Sequence, residues 1–252
     1  MTVHVGTSGW QYRDWRGSFY PARLAQGRWL EHYAAAFGIV EVNNTFYRLP
    51  ERSTFEEWAA RTPADFVFAM KASRYLTHIK RLGDPAEPVA RMLDHAGGLG
   101  RKLGPVLLQL PPNLRADLAR LADTLARFPE RVLVAFEPRH ESWFTDDVYK
   151  LLEQHNAALC LTDRARRKGP VVRTADWYFL RFHEGLARPR PCYGDGAPAL
   201  LITLAGAGYL RGLQDTRTTL VIAVAANVFN VLIEVFFVYG LDLGIAGSAW
   251  GT

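Results

Sequence analysis

The sequence predicts an α/β protein in two parts: an incomplete parallel β/α barrel over residues 1–194, then hydrophobic, membrane-type α-helices over residues 195–252. Three observations lead there. Short β-branched or aromatic runs alternate with longer helical patterns through the first 190 residues, the signature of βαβ units and a parallel sheet. Polar side chains recur at the C-terminal ends of those runs, where a parallel barrel gathers them at one mouth. Charge then nearly disappears, because most of the 30 Lys+Arg and 25 Asp+Glu precede residue 195.

Seven runs read as strands: VHVGTS (3–8), IVEVNNTFY (39–47), FVFAMKAS (66–73), PVLLQLP (105–111), VLVAFEP (132–138), AALCLTD (157–163) and WYFLRFH (177–183). Between them lie helical stretches such as 28–37, 53–62, 117–128 and 146–156. In 117–128, Leu118, Leu121 and Leu125 fall at i, i+3 and i+7, with Arg and Asp on the other face. Ser53 and Glu56 have the spacing of a capping box for the helix at 53–62. An eighth strand should follow residue 183, but none is found there, which predicts an open sheet edge with unpaired backbone groups. No G-x-G-x-x-G follows the first strand and no G-x-x-x-x-G-K-[ST] occurs, so a nucleotide-binding open sheet loses its main support.

The net charge of +5 permits an anionic ligand or surface without demanding one. Two cysteines, Cys160 and Cys192, are too few for a disulfide framework and suit a reducing compartment. The first ten residues carry no apolar signal-peptide core. The expectation is a cytoplasmic location for residues 1–194.

Ser8, Glu41, Asn43, Lys71, Gln109, Glu137, Asp163, Arg181 and His183 mark the expected mouth. Glu41, Glu137, Asp163 and His183 are the types that bind a divalent cation or run acid–base chemistry, although their spacing is no metal motif. Whether a metal binds stays open, and no cofactor is indicated. Glu137 is the first catalytic candidate. It ends a buried run and precedes Pro138, which holds the backbone extended, with Arg139 and His140 near the same rim. A structural Glu137–Arg ion pair is the competing reading. Lys71 reads as an anion clamp, a Schiff-base amine, or more simply the partner of a neighbouring carboxylate. Trp10, Tyr12, Trp15, Phe46, Tyr47, Trp143 and Phe144 cluster near the same end and offer flat faces to a sugar or base; loop packing would use them equally well. RARRKG (164–169) is a basic loop without a nucleic-acid motif, so nucleic acid is not the expected partner.

The segments VGTSGWQYRDWRGSFYP (5–21), VEVNNTFYRLP (40–50), FAMKASRYLTHIKRL (68–82), GPVLLQLPPN (104–113), AFEPRHESWF (135–144) and WYFLRFHEG (177–185) resemble the YecE-like barrel proteins, known as domain of unknown function 72. The resemblance implies a TIM-barrel-like fold and no particular reaction. It fades after ARPRPCYG (187–194), before the last helix and strand that the family pattern would supply.

Residues 220–239 are about twenty mostly apolar residues, long enough to span a bilayer core. Asn227, Asn230 and Glu234 form one polar stripe along them. Residues 196–252 resemble a fragment of the multidrug and toxic compound extrusion (MATE) transporters: a helix end, a loop, one span and the start of another. The sequence is therefore expected to join a truncated barrel to a transporter fragment near Gly194–Gly196.

Three functional readings remain. The first is a barrel that binds or acts on a small polar or phosphorylated ligand. The second is a membrane protein defined by its tail. The third is a non-catalytic binding barrel. The residues do not decide whether it is an enzyme.

Overall fold

Apolar runs bounded by turn residues become parallel strands in the computed structural model, which describes residues 3–162 and 171–182. All of these lie in the first of two units, Met1–His183 and Glu184–Thr252. The strands are β1 (Gly6–Thr7), β2 (Ile39–Val42), β3 (Val67–Lys71), β4 (Leu103–Gln109), β5 (Val134–Glu137), β6 (Ala158–Leu159), β7 (Leu161–Thr162) and β8 (Leu180–Arg181). β1 to β6 pair in chain order, and β7 pairs with β8, every pair parallel. Only Cys160 separates β6 from β7. Its N–H donates to the Phe136 carbonyl at 2.8 Å on the β5 side, and the Leu161 N–H donates to the Phe179 carbonyl at 2.9 Å on the β8 side. The stretch 158–162 therefore passes the ladder from β5 to β8, and the seven expected strands stand as consecutive neighbours. At β1 the strands approach so closely that a Cβ on Gly6 would run into the Ile39 carbonyl.

Helices follow the strands: α1 (Trp29–Ala36), α2 (Asn44–Tyr47), α3 (Arg52–Ala60), α4 (Ala86–Ala96), α5 (Leu118–Ala126) and α6 (Asp146–Gln154). Three local expectations are corrected. The strand expected to run from 39 to 47 stops at Val42, and α2 begins two residues later. Thr45 holds that turn by donating its hydroxyl to the Val42 and Lys71 carbonyls at 2.8 and 2.7 Å. Ser53 does not cap α3, whose N-cap is Glu51 without a side-chain bond. Glu56 instead takes Arg52 in an i, i+4 pair at 3.2 Å. In α5, Leu121 and Leu125 are buried, but Leu118 sits on the first turn and is exposed. There Asp117 caps the helix by accepting the Arg120 N–H.

Side-chain alternation sorts the strands into two faces. Val106, Leu108, Val134 and Phe136 point outward into the main core with Trp29, Tyr33, Phe68, Met92, Leu121 and Trp143. The opposite face holds an apolar layer of Leu107, Ala135 and Cys160, packed by Trp177 and Phe179. Two residues further along the strands, the same face carries Gln109, Glu137, Thr162 and Arg181. In-register pairing of Gln109 with Glu137, and of Thr162 with Arg181, puts these side chains level on one side of the sheet. An apolar plug beneath a polar layer at the C-terminal ends is the arrangement of a filled parallel barrel.

The expectation of membrane-type helices is also corrected. No helix among the described residues is long and apolar enough to cross a membrane. Residues 220–239, on which that expectation rested, lie outside the described residues. Counting apolar length measures hydrophobicity alone, and a buried segment of a water-soluble fold can have as much of it as a bilayer span.

Candidate functional site

Arg181 organises the polar layer. Its Nε and Nη2 each donate to a Glu41 carboxylate oxygen at 2.8 Å, and Nη1 donates to Glu137 Oε2 at 2.6 Å. Gln109 gives its amide nitrogen to both Glu137 oxygens at 2.9 Å, and Arg139 Nε reaches Oε1 at 3.3 Å. Ser8 Oγ lies 3.4 Å from Glu41 Oε1. All four central groups are nearly solvent-free: Glu137 is 1 % exposed, Gln109 4 %, Glu41 7 % and Arg181 8 %. Burial alone would raise the Glu137 carboxyl, but the Arg181 charge, the Gln109 amide and Arg139 outweigh it and its pKa is lowered. Glu137 is thus an ionised, fully engaged carboxylate, with no proton to donate at neutral pH.

Lys71, at the end of β3, is half-buried. Its Nζ sits 4.5 Å from the centroid of the Phe46 ring. The expected pairing with a neighbouring carboxylate does not occur among the described residues, because Arg181 and its companions already hold both. Burial lowers the Lys71 pKa, and Arg181 and Arg139 lower it further against the opposing pull of Glu41 and Glu137. His78 packs edge-on against the same Phe46 ring, with centroids 4.9 Å apart, and its Nδ1 lies 2.9 Å from the Thr77 hydroxyl. Its pKa is lowered by burial, then by Lys71, Arg139 and Arg74.

His78 was not among the residues expected from sequence. It rides on a π-helical turn, Tyr75–Ile79, followed by three non-glycine residues at positive φ: Arg81 (53°), Leu82 (64°) and Asp84 (43°). Such turns and such backbone collect at functional sites. The pattern KASRYLTH places an imidazole seven residues after a strand-end lysine, and it was the available sequence signal.

Other expected residues divide by environment. Asn43 donates to the Ser8 carbonyl at 3.1 Å, and Tyr12 gives its hydroxyl to the same carbonyl. The Tyr12 pKa is raised, first by burial and then by Glu41. A cleft beside them is lined by Ser8, Trp10, Tyr12 and Asn43, among others. Tyr47 is 81 % exposed on the rim. Trp143 is 1 % exposed, edge-on to Phe136 at 5.2 Å, and gives its indole N–H to the Leu114 carbonyl at 2.8 Å. It belongs to the outer core rather than the mouth. His140 is occupied locally, with Nδ1 2.9 Å from the Ser142 hydroxyl. Asp163, His183 and the basic loop 164–169 lie outside the described residues. Among the described residues no three His, Cys, Asp or Glu side chains gather as a metal-ligand set. Cys160 lies under this layer, and burial, then Glu137, push its thiol well up, which suits a packing role.

A parallel sheet with an apolar plug, a charged layer at its C-terminal ends and helices outside defines a TIM-barrel-like protein. The chain belongs to the family described as Protein of unknown function DUF72, whose model matches residues 4–223. A solved DUF72 family protein of Thermotoga maritima superimposes with a TM-score of 0.71 at 27% identity, covering 84% of this chain and 88% of that one. One from Enterococcus faecalis, at 21% identity and a TM-score of 0.59, shares the fold. The family match runs on past residue 194 and gives no support to a membrane-type tail; the expected boundary near residue 194 itself lies outside the described residues. UPF0759 protein YunF of Bacillus subtilis is 29% identical over 161 residues, 59% of this chain and 54% of that protein. A short segment also resembles MATE-type proteins, with 48% identity to Protein DETOXIFICATION 43 of Arabidopsis thaliana over 54 residues. The chain thus spans about half of YunF and a tenth of the DETOXIFICATION protein.

Proposed function

We propose that the strand C-terminal mouth binds a small anionic ligand, carrying a phosphate or carboxylate, and that Lys71 is its principal charge contact. One observation carries this reading. Arg181 engages both buried carboxylates of the mouth, which leaves the Lys71 ammonium without an ion-pair partner among the described residues. Among the described residues, three cations, Lys71, Arg139 and Arg181, stand with two carboxylates, Glu41 and Glu137, an excess of one positive charge. A buried net charge is costly unless a counter-charge joins it. Thr162 adds support. Its Oγ1, level with Arg181, is buried without a hydrogen-bond partner among the described residues, and such groups are usually satisfied by a ligand or water. Tyr12, Asn43 and Tyr47 would line the entrance.

A cytoplasmic ligand is part of the proposal, since a buried free thiol at Cys160 suits a reducing compartment. Calorimetric titration of the full-length protein with inorganic pyrophosphate tests the reading. Saturable binding that Lys71→Met weakens by about tenfold or more, as expected for loss of a charge-assisted contact, supports it. Binding that is absent, or unchanged in the variant, removes it.

A further inference from the structure

We infer that Lys71 is a nucleophilic amine that forms an imine with a carbonyl compound bearing an anionic group. This rests on the anion-site reading above and adds the reaction that the site performs. The other described lysines are differently placed. Lys102 Nζ donates to the Thr62 carbonyl at 2.7 Å, to the Thr62 hydroxyl at 3.1 Å and to the Ala59 carbonyl at 2.5 Å. Lys80 pairs with Asp84 at 3.4 Å, and Lys150 is exposed. Lys71 alone of these lies half-buried at a barrel mouth, on an aromatic face, with no hydrogen-bond acceptor for its Nζ among the described residues.

That setting is what an attacking amine requires. An ammonium has no lone pair, so the proton must leave, and desolvation beside other cations makes it leave more readily. Arg181, Arg139 and His78 are the cationic or ionisable neighbours on the adjoining strand ends and loop, against Glu41 and Glu137. The Phe46 face offsets part of this by attracting the ammonium.

The step balances without an oxidant or reductant. The neutral Lys71 nitrogen attacks the carbonyl carbon, and the π electrons move to oxygen, which takes up a proton. The nitrogen gives up its proton, a second protonation lets the hydroxyl leave as water, and a C=N bond replaces C=O. His78 packs against the same Phe46 ring and lies near enough to Lys71 to feel its charge, which makes it the described imidazole assigned to carry that proton from nitrogen to oxygen. Protonation of the imine nitrogen once it has formed restores the positive charge at this position, and Arg139 stands beside it for the anionic end of the substrate.

Pyridoxal 5′-phosphate, an aldehyde carrying a phosphate, is the probe. The full-length protein is treated with a substoichiometric amount, reduced with borohydride, digested and mapped by mass spectrometry. Pyridoxal without the phosphate is run in parallel, and inorganic pyrophosphate serves as protectant. The expected result is that Lys71 takes most of the label ahead of Lys80, Lys102, Lys150 and Lys168. It should react about tenfold faster with the phosphorylated aldehyde and be protected by pyrophosphate. His78→Gln should slow imine formation while leaving pyrophosphate affinity unchanged. If Lys71 stays unlabelled while pyrophosphate still binds through it, the imine inference is overturned and the anion site stands. If Lys71 labels equally with both aldehydes and pyrophosphate does not protect it, the amine chemistry stands and the anion reading falls. Label spread according to exposure, with no pyrophosphate binding, overturns both.

Discussion

Arg181 makes a two-point contact with Glu41, two hydrogen bonds of 2.8 Å between residues 140 positions apart. Arg181 is on β8 and Glu41 on β2, five strand spacings away when counted along the paired order. In a flat sheet those spacings of about 4.8 Å would separate the strands by about 24 Å, beyond the combined reach of the two side chains. The contact therefore requires the sheet to curl until β8 faces β2. Glu137, bonded to the third guanidinium nitrogen, fixes Arg181 from β5 as well. One side chain ties three strands of the wall together.

Removing it should be severe. Arg181→Met leaves Glu41 and Glu137 buried with their main counter-charge gone, and breaking a buried pair in this way costs about 3–5 kcal/mol. Urea unfolding of the variant at neutral pH should show that loss. A change below about 1 kcal/mol, the range of a surface pair, would mean that the cluster is not closed as described.

Acid should weaken the same network in a defined direction. The Glu137 pKa is lowered from its ordinary value of 4.5, so folding favours the ionised form. Its contribution is complete above 4.5 and is lost as the pH falls through the depressed folded value. Glu137→Gln should be less stable than wild type at neutral pH, and the two should converge in acid. Parallel stability curves down to about pH 2 would contradict the assignment of the lowered carboxyl to Glu137.

Lys71→Met should separate binding from stability. The lysine's pKa is lowered from 10.5, so at neutral pH the folded protein carries the cost of a desolvated ammonium, which wild type sheds only as the pH rises through the folded value towards 10.5. The methionine variant should melt at or above the wild-type temperature at pH 7 while losing pyrophosphate affinity. A variant that melts lower would show the ammonium to be stabilised by its surroundings.

The two rim aromatics expected from sequence should behave oppositely. Trp143→Ala empties a core position that is 1 % exposed and should cost about 3–5 kcal/mol. Tyr47, 81 % exposed, should tolerate Ala within about 0.5 kcal/mol, so any lost affinity there reports ligand contact alone. Comparable destabilisation by both substitutions would place Tyr47 in the core.

The strands were legible because parallel strands buried on both faces must be written as apolar runs, and the seven runs correspond to the observed neighbours. The polar residues closing those runs were equally legible, since parallel strands must end on one side. Tertiary structure decided which of them meet. Whether Glu137 would be a free acid or the partner of an arginine depended on how far the sheet curls, and curvature accumulates from twist along the whole sheet, which no local pattern records. The same closure paired Arg181 with Glu41, left Lys71 without a carboxylate among the described residues and turned Trp143 outward while Tyr47 stayed on the rim. His78 escaped notice for a related reason. A π-turn and positive-φ residues are held by the packing around them, and the turn sets His78 against Phe46 only once that packing exists. Local sequence thus set which residues reach the mouth, through alternation and strand direction. Long-range closure set their charge state and partners, because those depend on distances that only the folded barrel defines.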